Sequence, residues 1–168
     1  MTFTQKHSLH TLAVLLISAC SPTPDNPFAD EQTLLELHEQ SREAHFKKNP
    51  GLLVGQFSGD MISVNRGKVS LASREKATER FQQYFDAVEF KKWDDVKPPV
   101  VRFSKDRSIG YVIVDKMVVL ETTDSLGKRI EESTHFAWVS IFRKDADGNY
   151  QLECIASTNE PEQVTSLE

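Results

Sequence analysis

The chain has 168 residues, 39% of them hydrophobic and 27% charged, with a formal net charge of −5. That length suits one domain with a core of its own, and the negative balance excludes nucleic acid as a partner, because neutralising a phosphate backbone takes a basic surface. Only two cysteines, Cys20 and Cys154, are present, so no disulfide framework supports the fold, which has to stand on apolar packing.

Residues 1–19 begin weakly basic, with Lys6, His7 and His10, and run through the apolar stretch Leu12–Ile17 to the small pair Ser18-Ala19. That stretch is too short to span a bilayer and reads as an export signal. Its end, Ile17-Ser18-Ala19-Cys20, resembles the lipobox of bacterial lipoproteins. The resemblance implies cleavage before Cys20 and a lipid on that cysteine, which anchors the chain to a bilayer. Ser21 stands where an aspartate would resemble an inner-membrane retention signal, so the expected location is the outer membrane, facing the periplasm. Residues 20–29 hold Pro22, Pro24 and Pro27 and read as an extended tether.

The domain is expected over residues 30–161, with 162–168 as a flexible tail. Asp30 is a candidate cap for a helix from Glu31 to about Lys48, where Leu34, Leu37, His38, Ser41 and His45 follow the 3.6 period. Asn49-Pro50 opens a short second helix carrying Leu52, Leu53 and Phe57. Met61–Val64 reads as a short strand. Ser73 caps a third helix, Arg74 to about Ala87, whose stripe Ala77, Phe81, Tyr84, Phe85 and Val88 has to cover a sheet or another helix. From Val88 onward the period becomes two, with strands over residues 88–93, 100–104, 108–122, 129–144 and 149–158. Asp147-Gly148 is the clearest hairpin turn. Helices first and a meander after give an α+β class: N-terminal helices packed on a strongly curved antiparallel sheet, conical and barrel-like, a cystatin-like roll.

Three segments carry a further resemblance. Asn49-Pro50-Gly51-Leu52-Leu53 leads through Phe57-Ser58-Gly59-Asp60-Met61. Ser73-Arg74-Glu75-Lys76-Ala77 leads to Phe81. Phe136-Ala137-Trp138-Val139-Ser140-Ile141-Phe142-Arg143-Lys144 is followed by Asp147-Gly148-Asn149-Tyr150-Gln151-Leu152 and Ala156-Ser157. In this order they resemble the nuclear transport factor 2-like superfamily, also called SnoaL-like or ketosteroid isomerase-like. The resemblance implies a conical α+β domain with a cavity, which in different members serves isomerases, cyclases, dehydratases or pure binding. The first helix lacks the tyrosine of the isomerases, so their site does not carry over.

Asp115 shares its strand parity with Ile109, Tyr111, Ile113, Met117 and Val119. A carboxylate buried in that row has its pKa raised, as a general acid or base near neutral pH requires. His135 shares its parity with Ala137, Val139 and Ile141 and is the candidate proton partner. Tyr111, Trp138 and His38 are candidate ligand-binding residues. His38 and His45 share a helix face but lack close ligand spacing, so no metal is expected, and no cofactor. Cys154 reads as an inert buried thiol and Ser73 as a cap rather than a nucleophile.

These features support a lipid-anchored envelope protein whose domain binds a small, partly apolar ligand or self-associates as a homodimer. Two other readings stand beside it. One is an isomerase-, cyclase- or dehydratase-type enzyme using Asp115 and His135. The other is a structural subunit of an envelope complex.

Overall fold

The computed structural model describes residues 27–167. Cys20, the expected export signal and most of the tether lie outside the described residues. Three helices, α1 (Pro27–Phe46), α2 (Pro50–Val54) and α3 (Arg74–Ala87), are followed or interleaved by eight strands. These are β1 (Phe57–Asn65), β2 (Lys68–Ala72), β3 (Glu89–Asp95), β4 (Val100–Phe103), β5 (Ile109–Thr123), β6 (Arg129–Lys144), β7 (Tyr150–Asn159) and β8 (Gln163–Ser166). The residues expected as a tail thus include β8, which pairs with β6.

Local chemistry sets the boundaries. The Asn49 side chain accepts a hydrogen bond from the Gly51 N–H at 3.0 Å, ahead of Pro50 at the first helical position. Ser73 Oγ accepts from the Lys76 N–H at the start of α3. In the β6–β7 hairpin, Asp145 Oδ1 accepts from the N–H groups of Asp147 and Asn149, and Gly148 takes a φ of 85°. Asp30, expected as a cap, lies inside α1 and instead bridges Arg107 at 2.5 Å and Lys144 at 3.1 Å, tying the helix to the β4–β5 turn and the end of β6.

The strongly curved, barrel-like antiparallel roll expected from the sequence is not what forms. The sheet is mixed and open, with the order β2-β1-β7-β6-β5-β3 and two free edges. β1 runs parallel to β7, whereas β5, β6 and β7 form the expected antiparallel meander. The physical reason lies in how β5 and β6 use their length. One edge of β5 pairs with β4 at residues 110–113 and with β3 at residues 116–121. One edge of β6 likewise takes β8 at residues 130–133 and β7 at residues 136–144. Two short partners laid end to end satisfy a long strand without closing the sheet.

The helices cover one face of this sheet. Leu34, Phe57, Val112, Val114, Phe142 and Leu152 belong to one buried cluster, and Ala44, Phe85, Phe90, Trp93, Val118 and Leu120 to a second. Gly110 sets how closely α1 approaches β5. A Cβ there would stand 2.6 Å from Leu34 Cδ1 and 2.9 Å from Phe103 Cε1. This contact fixes the height of α1 over the sheet, and His38 follows Leu34 by one turn on the same helix face. Gly110→Ala is expected to destabilise the fold by about 1–3 kcal/mol through overpacking. Urea denaturation measures it, and an unchanged midpoint would show that Leu34 and Phe103 have room to move.

Candidate functional site

Between the helices and the covered face of the sheet lies a cavity of about 390 Å³, within the range of small-molecule sites. Its walls are mainly apolar and aromatic, with Trp93, Phe136 and Trp138 among them. Its polar groups include His38, Ser41 and His45 from α1, Arg80 and Tyr84 from α3, Gln56 ahead of β1, and Ser63 and Asn65 from β1 with Ser140 and Ser157 from β6 and β7. The strand register explains the last set, since Ser140 pairs with Ile155, which pairs with Ser63, and Ser157 pairs with Asn65.

At one wall, three elements meet around a carboxylate. His38 Nε2 lies 3.1 and 2.9 Å from the two oxygens of Asp95, at the end of β3. Lys116 Nζ, from β5, lies 2.9 Å from Asp95 Oδ1 and 3.6 Å from the centre of the Trp93 ring. Lys116 is fully buried. Because the carboxylate accepts, Nε2 of His38 carries its proton and Nδ1 its lone pair. Burial lowers the His38 pKa, Asp95 opposes this, and the Lys116 charge adds to the lowering. Burial likewise lowers the Lys116 pKa against the pull of Asp95.

His45, two turns further along α1, is the cavity's second imidazole. Its Nδ1–H donates to the Ser41 carbonyl at 2.6 Å and its ring stacks on Trp93 with centroids 4.4 Å apart. Burial depresses its pKa to about 4. Among the described residues, the one sealed side-chain polar atom without a hydrogen-bond partner is Asn65 Oδ1. His38 Nδ1 and His45 Nε2, which also lack partners, therefore retain access to open space. Tyr84, at the rim, has its pKa raised to about 12 by burial and by Glu132 and Glu162, so its phenol stays a donor.

The predicted residues divide between the two faces. His38 and Trp138 line the cavity. Asp115 and His135 are brought together, with 2.5 Å between Oδ1 and Nε2, but neither lines the cavity. They share a shallow depression on the sheet's other face, about a third exposed, with Lys97 beside Asp115 and Glu160 beside His135. Tyr111 has their parity and also lies outside the cavity. Here the hydrogen bond dominates over burial: it lowers the Asp115 pKa and raises that of His135. The sequence reading paired His45 with His38 on one helix face but missed Asp95, Lys116, Tyr84 and Arg80 as site residues. Lys116 carried a signal, as the one ion in the row Val112, Val114, Val118, Leu120. Among the described residues no three His, Cys, Asp or Glu side chains converge with metal-ligand spacing.

No protein-family model and no curated protein matches the chain. Solved structures do. A hexachlorocyclohexane dehydrochlorinase of type 2 superposes with a TM-score of 0.66 at 10% identity, covering 84% of this chain and 93% of the other. A ketosteroid isomerase-like protein from Erwinia carotovora atroseptica gives 0.58 at 13% identity, over 77% and 96% of the two chains. An NTF2-like protein from Cytophaga hutchinsonii gives 0.58 at 12% identity, over 77% and 98%. The chain shares the fold of these structures, and at these identities the likeness concerns the fold alone.

The histidines should titrate apart. In an NMR pH titration His45 is expected to stay neutral down to about pH 4 with the proton on Nδ1, whereas His135 titrates above 6.5 and falls back towards it in Asp115→Asn. The unfolded state binds the His45 proton between about 6.5 and 4 and the native state does not, so this group's contribution to stability is lost as pH falls through that window. Equal titration of all three rings near 6.5 would contradict the described environments.

Proposed function

We propose that the domain is an enzyme of the isomerase or dehydratase type, which moves a proton on a small, largely apolar substrate held in the cavity. The observation that carries this reading is the His38 ring: its Nε2–H is fixed on Asp95, its Nδ1 is unpartnered, and it stands in the wall of an apolar chamber. A lowered pKa keeps the ring neutral near pH 7 and able to accept a proton from carbon next to a carbonyl or a leaving group. Asp95 then stabilises the imidazolium, and Lys116 holds Asp95 in place at 2.9 Å. The hydroxyls of Tyr84 and Ser140 are available as donors to the oxygen on which charge develops. The dehydrochlorinase and the ketosteroid isomerase-like protein have the same fold, which supports the reading by analogy. The Asp115–His135 pair, outside the cavity, has no part in this proton transfer.

The test is a panel of small ketones, β-hydroxy carbonyl compounds and halogenated alkanes in D₂O, followed by NMR for exchange or elimination. His38→Gln is expected to lower kcat by about 10²–10⁴-fold with a near-unchanged KM. The wild-type rate should fall as pH drops through the depressed His38 pKa, because protonation removes the base. Lys116→Met should move that fall to higher pH by removing a charge that opposes the imidazolium. Turnover that survives His38→Gln, or a ligand that fills the cavity with no exchange or elimination, overturns the enzymatic reading and leaves a binding protein.

We further propose that the domain works at the bacterial envelope, tethered through lipid on Cys20 to the outer membrane and facing the periplasm. The support is the segment Leu15-Leu16-Ile17-Ser18-Ala19-Cys20 followed by Ser21. Cys20→Ala is expected to abolish labelling by radioactive palmitate and to leave the domain folded. Equal labelling of the two proteins would end this part of the proposal.

A further inference from the structure

The cavity's charge is one-sided. The chain carries 25 acidic and 20 basic residues, yet no carboxylate lines the cavity and its one formally charged wall residue is Arg80. At Ser63, Asn65, Arg80, Phe81 and Tyr84 the cavity opens into a vestibule, to which Arg66 and Lys68 also belong, again without a carboxylate. Arg66 and Lys68 flank the tight turn between β1 and β2, with Gly67 at a φ of 72°, and Arg80 faces them from α3. None of the three cations makes an ion pair or hydrogen bond among the described residues. Arg80 only lies over the Phe81 ring at 5.3 Å. The two carboxylates that bear on Tyr84, Glu132 and Glu162, line neither the cavity nor the vestibule.

A second observation stands at the junction itself. Asn65 lines both spaces, and its Oδ1 is the buried polar atom without a partner. Oδ1 is sealed from the cavity as it stands, whereas Nδ2 of the same amide, also without a partner among the described residues, keeps access and presents its N–H donors to open space. A half-buried, unpaired amide between an apolar chamber and three unpaired cations is a place for a polar head group. Resting on the reading of the cavity as a ligand site, we infer that its natural ligand is an amphipathic anion. The apolar body occupies the chamber beside Trp93 and Trp138, and a carboxylate-type head sits at Asn65 within reach of Arg66, Lys68 and Arg80. In such an arrangement the cations also draw the ligand to the mouth, and the absence of competing carboxylates leaves the head no like charge to pass.

Three ten-carbon probes kept below their micelle concentrations test this on the purified protein by calorimetry: decanoate, decanol and decyltrimethylammonium. Decanoate is expected to bind at least about tenfold more tightly than decanol, the factor one charge-assisted contact gives. The cationic probe should bind more weakly than decanol. Added salt should erode the decanoate advantage and leave decanol unaffected. Arg66→Asn, which keeps a residue tolerant of positive φ, combined with Arg80→Gln, should bring decanoate to the affinity of decanol, with decanol binding and the melting temperature unchanged. Equal affinity for decanoate and decanol, an advantage that survives the double substitution, or no binding of any probe overturns the inference. His38→Gln is expected to leave decanoate binding intact. Anion preference without His38-dependent turnover therefore rejects the enzymatic reading alone, and turnover without anion preference rejects this inference alone.

Discussion

The burial of one ammonium group organises the site. Lys116 has no exposed surface, and an unpaired ion in such a place costs several kcal/mol even after relaxation. Two contacts offset that cost. The Asp95 carboxylate lies at 2.9 Å, and the face of Trp93 at 3.6 Å supplies a desolvated cation–π interaction of about 2 kcal/mol. Each of those partners then holds something else. Asp95 fixes the His38 ring and so joins the end of β3 to the middle of α1, and Trp93 is the plane on which His45 stacks. The helix, the edge strand and the long central strand meet at a single carboxylate. The orientation of both cavity imidazoles follows from how the lysine is satisfied.

Two histidine–aspartate pairs in one small domain show how far environment governs the same chemistry. His135 and Asp115 sit on the open face of the sheet, where their mutual hydrogen bond dominates and pushes the ring towards its charged form. His38 makes the same kind of bond to Asp95, yet its pKa moves the other way. Burial of the ring removes water from the imidazolium, and Lys116 contributes a second cation to the same carboxylate. The outer pair is held towards an ion pair by its own hydrogen bond. The inner ring is held towards its neutral form, and only the inner pair adjoins an enclosed space.

Much of the fold was legible in the sequence because its signals are local. The caps Asn49 and Ser73, the stripe of α3 and the Asp147-Gly148 turn each act within a few residues of themselves. The openness of the sheet was not legible. Strands as long as β5 and β6 suggest curvature when counted alone, and nothing local announces that each takes two short partners along one edge. Nor does sequence spacing reveal the parallel pairing of β1 with β7, which joins residues about ninety positions apart. β2 escaped notice because Val69 and Leu71 lie exposed at the sheet's edge with no burial pattern to mark them. The site failed at one particular ambiguity. Both parities of β5 are apolar, so the row containing Asp115 and the row containing Lys116 were equally good candidates for the covered face. Asp95, beside Asp94 and near Lys97-Pro98-Pro99, reads in sequence as part of a solvated turn.

The chemistry open to this domain depends on the distribution of its polar groups, not on its shape. At 10–13% identity the solved structures share the fold and nothing finer, and a fold is set by packing. The cavity wall here is built from hydroxyls, amides, imidazoles and aromatic rings, and its carboxylate stands one step behind, reached only through His38. That separation has a physical consequence. A carboxylate in the wall would repel an anionic ligand and would itself be pushed towards its neutral form by desolvation. Placed behind the imidazole and held by Lys116, it orients the ring and stays out of the chamber wall. The same arrangement that fixes His38 and holds its ring towards the neutral form thus keeps carboxylates out of a chamber whose one formally charged wall residue is Arg80.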